Sequence, residues 1–508
     1  GKTATVVGIL NTIHMLEYDK YYKLLLSTVL SPEGLQCREA FAKRNDIKPW
    51  ISLVSRLAKN KPHILVAAPS NIAVDNILQR IMEKGFSDNL GNKYSPDILR
   101  LGKMTVDRGM TVVREVSLEG IIEKEQLSAF EDKTRVSALK DAQSARNQII
   151  AQIDATQTLL LNLSIAFREH SLPHGWELRI DSSTAMPYWV DHISKCTSTV
   201  APKPVEDNLK LKNENGYDNI ESCHFRKLDS LPEYQIYTMQ ITQMLEKLDR
   251  LTLFVNRCEA RVNPYMHGGP SGVRQIVETS VIDQAHIVFA TLSGCGHPCL
   301  ESTDFMTTII DEAGQCVEPS SLIALRRGCH RCIMVGDPKQ LPATVFSEEA
   351  RKQGYDRSLF ERLISTGHPY TMLNTQYRMN PCISKFSSNE FYNNLLQDGN
   401  NVKMPDHGLS HIRRSFLIST DEDGVNQKAE ETASSACLLP FMFLNVQYSD
   451  EKTEIQSLRN PEEAKLCATL LESILLEAKR LSHGIVGSVA IITPYAEQLQ
   501  ELKKIFQH

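Results

Sequence analysis

The chain opens with residue types that can bind phosphate. Gly1-Lys2-Thr3 leads directly into apolar residues at helical spacing. This tripeptide is the last third of the phosphate loop G-x-x-x-x-G-K-S/T, in which backbone N–H groups and a helix N-terminus hold the phosphates. In that scheme Lys2 neutralises the β- and γ-phosphates of a nucleotide, and Thr3 places its hydroxyl on Mg²⁺. Alone, the tripeptide fits a chance occurrence at a helix start equally well.

An acidic pair further along the chain suits phosphoryl transfer. Asp311-Glu312 directly follows the apolar and β-branched run Met306–Ile310. Phosphoryl transfer needs one carboxylate to hold Mg²⁺ and a second group to orient the attacking water, so Asp311 suits the first role and Glu312 the second. Gln340, in the segment Gly336–Pro342, is suited to sensing the γ-phosphate through hydrogen bonds that hydrolysis breaks. The alternatives are two solvated acids at a strand end and an ordinary loop glutamine.

These groups must be positioned by strands, and the apolar pattern predicts four strands. The predicted strands are His63–Ala68, Val281–Ala290, Phe305–Ile310 and Cys332–Val335. Each is followed by polar residues, and the first also by a helical pattern. Because ligands gather outside the carboxyl ends of strands in an open parallel sheet, these polar clusters are expected along one edge. The sequence therefore predicts an α/β fold with a parallel sheet.

Several segments together resemble the ordered motifs of a known family. Ala68–Asp75, Asp311–Gln315, Gly336–Pro342 and Gln376–Pro381 look like motifs Ia, II, III and IV of superfamily 1 helicases of the up-frameshift type. Within that type, Ala290–Gly296 and Ile383–Tyr392 are more similar to the senataxin branch. Ile491–Gln498 resembles a later strand and loop of the second motor domain. The resemblance covers most of residues 1–105 and 275–400 and then thins to scattered segments.

The resemblance implies an ATP-driven motor of two RecA-like parallel-sheet domains, of the phosphate-loop NTPase class, with ATP and Mg²⁺ in the cleft between them. It assigns nucleotide binding to Gly1, Lys2, Thr3 and Tyr377, the last stacking on adenine, and the metal to Thr3 and Asp311. It assigns catalysis to Asp311, Glu312, Gln340 and Arg378. Arg378 would reach the γ-phosphate from the second domain, where a fixed guanidinium stabilises developing charge. Without the motif, Arg378 fits a surface arginine and Tyr377 a packing aromatic.

The resemblance also implies contacts to single-stranded RNA or DNA. It assigns them to Pro69, Ser70, Asn71, Thr291, Ser293, Thr493 and Pro494. Backbone N–H groups, hydroxyls and amides at these positions can bind the sugar-phosphate backbone without reading sequence. Weak sequence preference and salt-sensitive binding are therefore expected, while the choice between RNA and DNA stays open. The same residue types are also ordinary turn residues.

Between the two parts of the first motor domain, 1–105 and 275–366, residues 106–274 are predicted to form an insertion. Apolar residues at helical spacing predict two long helices, Val116–His170 and 234–262. Their antiparallel pairing would give a projecting hairpin, which resembles the prong that helps relatives grip nucleic acid.

The tip of this hairpin, residues 171–232, has two interpretations. Its Pro, Ser, Thr, Asn and charged residues favour a mobile loop. Trp176 and Trp189 are unusual in a disordered tract and favour a small folded element that binds protein partners. The mobile loop is the preferred interpretation.

Residues 367–508 are predicted to form the second motor domain, which is expected to be incomplete. Its predicted strands are Thr371–Asn374, Leu439–Val446 and Ile485–Thr493. Its predicted helices are Asn380–Leu396, Asn460–Leu481 and Ala496–Phe506. A cap, a first-turn proline and a glutamate at Asn460-Pro461-Glu462-Glu463 mark a helix start.

Composition limits the remaining function classes. The net charge of −5 excludes a globally basic surface but not a local nucleic-acid site. The twelve cysteines are scattered, which favours a reducing compartment, and their pairs lack a matched second pair for a zinc site. No apolar run approaches the ~20 residues that cross a bilayer, so no membrane association is expected. The resemblance implies a nuclear protein, with the cytoplasm as the alternative.

The sequence thus predicts an ATP-dependent RNA or RNA/DNA helicase or translocase, moving 5′ to 3′, in RNA processing or transcription termination. The alternative is a non-catalytic helicase-like scaffold in ribonucleoprotein or transcription complexes. Both ends of the 508 residues are expected to be truncated within functional motifs. The chain as it stands is therefore expected not to hydrolyse ATP, and nucleic-acid-stimulated turnover comparable to that of an intact relative would contradict this.

Overall fold

The chain divides into two units, Lys2–Pro369 and Tyr370–His508. The computed structural model describes residues 2–102, 111–127, 132–169, 175–180, 187–199, 231–325, 328–404, 441–446, 452–453, 457–480 and 489–506.

The first unit contains these helices: α1 (Lys2–Val29), α2 (Pro32–Arg44), α3 (Lys48–Ala58), α4 (Asn71–Lys84), α5 (Thr111–Glu115), α6 (Leu118–Leu127), α7 (Asp132–Glu169), α8 (Pro232–Val262), α9 (Gly269–Gln284), α10 (Glu318–Ala324), α11 (Glu348–Lys352) and α12 (Leu359–Ser365). Its strands are β1 (Ile64–Ala68), β2 (Phe86–Ser87), β3 (Lys93–Tyr94), β4 (Ile98–Arg100), β5 (Trp176–Ile180), β6 (Pro187–Asp191), β7 (Cys196–Ser198), β8 (Ile287–Thr291), β9 (Thr307–Ile310) and β10 (Arg331–Met334).

A five-stranded parallel sheet in the order β10-β9-β1-β8-β4 forms the centre of this unit. Val66 in β1 pairs with Phe289 of β8 on one side and with Ile309 of β9 on the other. The predicted α/β fold is therefore confirmed. One predicted strand, Val281–Ala290, is wrong in its first half. There α9 ends at Gln284 with Val281 and Ile282 buried, so one apolar run spans a helix end and the following strand.

The strands β1, β8 and β9 are buried on both faces, because helices pack against the alternate residues that point to each side. Val66 and Phe289 pack on one face with apolar residues of α1 and α4. Leu65 and Val288 pack on the other face with residues of α6, α9 and α10. This two-sided burial explains why the strands are continuous apolar runs and not alternating ones.

The long helices α7 and α8 pair in opposite directions, as predicted. The Gln143 amide donates to Glu259 near one end, and Leu163 packs against Leu231 near the other. The pair does not simply project into solvent. Between its ends, isoleucines and leucines of both helices share one core cluster with α1 and with Trp50 of α3. The α1–α3 layer that supports the hairpin was not predicted.

Part of the hairpin tip differs from the predicted mobile loop. Strands β5, β6 and β7 form an antiparallel sheet in which Trp176 pairs with Asp191, and Trp189 pairs with Ser198. Trp189 is buried against Leu163 and Leu231 at the end of the hairpin. Burial of this large apolar side chain gives the segment a small hydrophobic core. The polar composition of the segment does not predict such a core.

The second unit contains the helices α13 (Pro381–Phe391), α14 (Asn400–Lys403), α15 (Pro461–Arg480) and α16 (Ala496–Phe506). Its described strands are β11 (Thr375–Gln376), β12 (Gln397–Asp398), β13 (Lys452–Thr453) and β14 (Leu458–Arg459). β11 and β12 are parallel, while β13 and β14 are antiparallel. The predicted helix start at Asn460 is confirmed, since its side chain accepts from the N–H groups of Glu462 and Glu463.

The strand predictions of the second unit are wrong where the structure describes them. β11 begins one residue after the predicted strand Thr371–Asn374. Residues 441–446 and 489–493 belong to no strand, and 439–440 and 485–488 lie outside the described residues. The side chain of Ile492 is 90% exposed, so its apolar character does not reflect burial in a sheet.

Helices of the described part of the chain are too short or too polar to cross a bilayer.

Candidate functional site

The carboxyl edge of the sheet brings together two predicted residues that are 310 positions apart. The ammonium of Lys2, in the first turn of α1, lies 3.0 Å from Oε2 of Glu312, which follows β9. Both side chains are partly exposed, so the pair is accessible to a ligand. Thr3 lies in the same first turn of α1 and is partly buried, whereas Gly1 lies outside the described residues.

Asp311 sits deeper, directly at the end of β9. Its N–H donates to the carbonyl of Ala67 in β1 at 2.9 Å, and its side chain is 4% exposed. Oδ1 has no hydrogen-bond partner among the described residues. Burial, followed by the neighbouring charge of Glu312, raises the pKa of Asp311 above the ordinary value of a carboxyl.

A buried carboxylate oxygen without a partner is unfavourable unless a cation or donor reaches it. A hard cation held by a carboxylate and a hydroxyl is the arrangement that phosphate-loop enzymes use for Mg²⁺. The buried, unpartnered oxygen of Asp311 therefore fits the magnesium ion that the sequence predicts.

Two glycines let the loops after β9 and β10 touch backbone to backbone. A Cβ on Gly336 would lie 2.8 Å from the nitrogen of Gly314, and a Cβ on Gly314 would lie 2.8 Å from the carbonyl oxygen of Asp337. The N–H of Ala313 donates to the carbonyl of Val335 at 2.9 Å in the same contact. This close approach holds Glu312, whose backbone is left-handed at φ 51°. Sequence reasoning missed the role of both glycines, although each follows a predicted strand.

Gln340 lies on the same edge, in the loop that follows β10. Its amide donates to Oδ2 of Asp337 at 2.9 Å, and Oδ1 of Asp337 accepts from the N–H of Lys339 at 3.0 Å. Hydrogen bonds to Asp337 thus hold the loop, and Gln340 is exposed. The structure gives Gln340 no hydrogen bond to Asp311 or Glu312 within the ranges it describes.

The predicted nucleic-acid residues of the first unit follow the next two strands along this edge. Ser70 caps α4 by accepting from the N–H of Ala73 at 3.2 Å, and Thr291 accepts from the N–H of Gly294 at 3.1 Å. The two loops are joined because Leu292 donates to the carbonyl of Ala68 at 2.9 Å. Pro69, Ser70 and Ser293 are exposed. The residues predicted to act on the nucleotide phosphates, Asp311, Glu312 and Gln340, therefore follow β9 and β10. The residues predicted to bind nucleic acid follow β1 and β8.

In the second unit, Gln376 orders the segment that carries Tyr377 and Arg378. Its Oε1 accepts from the N–H groups of Arg378 at 3.0 Å and Met379 at 2.8 Å. Its Nε2 donates to Asp398 at 2.5 Å and to the carbonyl of Met379 at 2.7 Å. The tyrosine and the arginine are thereby held on an exposed turn.

The ring of Tyr377 is 56% exposed and lies over Gly399, where a Cβ would be 2.4 Å from Cδ1. The glycine leaves one face of the ring against backbone and the rest open to solvent. Elsewhere in this unit, Thr493 accepts from the N–H of Tyr495 at 3.2 Å just before α16, beside the exposed Pro494. Sequence reasoning missed the contributions of Asp398 and Gly399.

Comparison with known proteins identifies related sequences over the whole chain. One family model, described as an AAA domain, matches residues 1–348, and a second, also described as an AAA domain, matches residues 355–508. Helicase sen1 of Schizosaccharomyces pombe is 26% identical over 510 residues, covering 100% of this chain and 23% of the relative. Helicase SEN1 of Saccharomyces cerevisiae is 28% identical over 457 residues, covering 88% of this chain and 16% of the relative.

An uncharacterized ATP-dependent helicase of Methanocaldococcus jannaschii is 27% identical over 460 residues, covering 90% of this chain and 54% of the relative. The chain thus spans about a quarter or less of the two fungal relatives and about half of the archaeal one. The matches confirm the predicted resemblance and support two RecA-like domains.

Proposed function

Because the chain belongs to the superfamily 1 helicases with AAA domains, of the up-frameshift type and senataxin branch, we propose that it provides the motor of an ATP-dependent helicase or translocase. The full-length protein hydrolyses ATP with Mg²⁺ and moves along single-stranded RNA or DNA, in the 5′ to 3′ direction. The observation that carries this proposal is the constellation of Lys2, Asp311 and Glu312 at the carboxyl edge of the sheet.

The first step of the proposed mechanism is an exchange of partners by Lys2. Its ammonium is paired with Glu312 at 3.0 Å. The β- and γ-phosphates of ATP at the N-terminus of α1 carry more negative charge than one carboxylate, so they draw Lys2 away from Glu312. The released carboxylate of Glu312 then orients the attacking water and takes up its proton.

Asp311 and Thr3 hold Mg²⁺ in this proposal. When bound, the ion would neutralise charge that develops on the phosphate oxygens. Its charge also favours the ionised form of Asp311, which burial disfavours. Gln340 senses the γ-phosphate, Tyr377 stacks on adenine, and Arg378 stabilises the charge on the γ-phosphoryl group as it passes from ADP, the leaving group, to water.

The nucleic-acid strand binds along the loops after β1 and β8 and at Thr493 and Pro494 of the second unit. Exposed hydroxyls, amides and backbone N–H groups there suit the sugar-phosphate backbone. We propose a role in RNA processing or transcription termination in the nucleus, with the cytoplasm as the alternative compartment. The folded tip, β5–β7, is the proposed contact for protein partners.

The test is ATP hydrolysis by the full-length protein with and without single-stranded RNA. Glu312→Gln should lower RNA-stimulated hydrolysis by at least about 100-fold without weakening ATP binding, because water activation is lost while Lys2 is freed for the phosphates. Glu318→Gln is the matched control, since that carboxylate is partly exposed like that of Glu312 and pairs with Arg362 at 2.8 Å. If Glu312→Gln hydrolyses ATP like the control, or if RNA has no effect on the wild type, the scaffold alternative is favoured instead.

A further inference from the structure

A buried arginine of the first unit, Arg100, donates a hydrogen bond to Asn71, one of the residues predicted to bind nucleic acid. Arg100, the last residue of β4, is 0% exposed. Its Nε donates to Oδ1 of Asp75 at 2.7 Å, and its Nη2 donates to Oδ1 of Asn71 at 2.8 Å. Its Nη1 donates to the carbonyl of Leu101. All three guanidinium nitrogens therefore have defined partners.

Asn71 and Asp75 face this arginine together because they are four residues apart on α4, which places them on one helix face. Asp75 is 0% exposed and supplies the negative charge that makes burial of Arg100 tolerable. Asn71 is half-buried at the first position of α4, directly after Pro69 and Ser70. The arginine thus links the end of β4 to the helix start that follows β1.

The contact determines which way the Asn71 amide points. A guanidinium only donates hydrogen bonds, so the amide must turn its oxygen toward Arg100 and its NH₂ group away. No group in the described ranges accepts from that NH₂. The outward side of Asn71 is therefore a pure donor, which pairs with acceptors such as phosphate and sugar ring oxygens.

We propose that Arg100 is a positioning residue, which fixes the Asn71 amide so that it donates to oxygens of a bound single strand. This inference rests on the proposed function and specifies the chemistry of the contact. Backbone oxygens of this kind occur in RNA and DNA alike, so Asn71 does not discriminate between them. A lysine at position 100 keeps the charge for Asp75 but lacks the second arm that holds Asn71.

The experiment is a double-mutant cycle with Arg100→Lys, Asn71→Ala and the double variant in the full-length protein. Affinity for a fluorescent single-stranded RNA and for the DNA of the same sequence is measured by anisotropy. Each single substitution should weaken binding by about 3–10-fold, equally for RNA and DNA, because one hydrogen bond to the strand is lost. The double variant should bind no more weakly than Asn71→Ala, since Arg100 acts through Asn71.

Asn76→Ala is the matched control, because Asn76 is an exposed asparagine of the same helix. It should leave affinity unchanged. Additive losses in the double variant, or an effect confined to RNA, would overturn the proposal while leaving the proposed function standing. A wild type that binds neither oligonucleotide would overturn both.

If Arg100→Lys does not fold, Asn71→Asp decides the question. Its carboxylate still accepts from Arg100, so the urea midpoint of unfolding should equal or exceed that of the wild type, whereas Asn71→Ala should lower it. Because the outward NH₂ group is gone, Asn71→Asp should also bind both oligonucleotides at least about threefold more weakly. Unchanged binding by Asn71→Asp would overturn the proposal.

Discussion

His63 gives a direct test of how the central sheet is buried. The ring lies just before β1 and is buried, with Nδ1 donating to the carbonyl of Ala285 at 2.8 Å. Burial, and next the charge of Lys61, lowers the pKa of His63 to about 4 from the ordinary 6.5. We predict that removing this ring changes the pH dependence of folding.

The size and sign of the effect follow from the two pKa values of His63. Below pH 6.5 the unfolded chain binds a proton at this ring, whereas the folded chain does so only near pH 4. The stability that comes from keeping His63 neutral is therefore fully present above pH 6.5 and is lost progressively as the pH falls toward 4. Between pH 7 and pH 5 this one ring should remove about 2 kcal/mol from the free energy of unfolding.

The assay is urea unfolding followed by tryptophan fluorescence at pH 7 and pH 5. The three tryptophans of the sequence, Trp50, Trp176 and Trp189, all belong to the first unit, so the signal reports that unit alone. His63→Asn retains an N–H donor in the place of Nδ1 but cannot titrate. The wild type should therefore lose about 2 kcal/mol more than His63→Asn between the two pH values.

His330→Asn is the control for the exchange of histidine for asparagine, because His330 is exposed. His14 and His286 are also buried, and their pKa values are lowered too. The contribution of His14 is present in both proteins and cancels in the comparison, and that of His286 cancels apart from the charge of His63, which comes last among the causes that lower the pKa of His286. Equal losses in the wild type and in His63→Asn would refute the reasoning from burial.

Three further predictions concern the edge and the tip. Gly336→Ala should destabilise the first unit by about 1–3 kcal/mol in the same urea assay, because its Cβ meets Gly314 backbone at 2.8 Å. Gly8→Ala in α1, where nothing lies within 4 Å, should stabilise it by about 0.5–1 kcal/mol; the opposite order would contradict the described contact. Asp311→Asn should raise the urea midpoint while weakening Mg²⁺-dependent ATP binding at least about 10-fold, and unchanged binding would exclude Asp311 as the metal ligand. Trp189→Ala should speed trypsin cleavage within 175–199, whereas unaltered cleavage would show that the ring does not stabilise the tip.

The sequence predicted the sheet and its polar edge because both are local patterns. The run before Asp311 is apolar on both faces, and a buried parallel strand requires that composition. The polar residues that follow such strands must then share an edge. The pairing of α7 with α8 was predictable for a similar reason, since each carries a long apolar stripe.

What the sequence could not predict depends on contacts between distant residues. Arg100 is a charged residue at the end of β4, and only the fold shows that Asp75 and Asn71 face it. The close approach of Gly314 and Gly336 likewise appears only when β9 and β10 are neighbours. In the second unit, apolar residues such as Ile492 follow the pattern of a strand, but they are exposed and the segment is not a strand.

The most direct test of the proposed motor is strand displacement by the full-length protein. The substrate is a duplex with a single-stranded 5′ overhang, compared with the same duplex carrying a 3′ overhang. We predict ATP- and Mg²⁺-dependent displacement from the 5′ overhang only, and its loss in Lys2→Ala, which removes the partner of both Glu312 and the phosphates. No displacement by the wild type, or displacement that survives Lys2→Ala, would contradict the account.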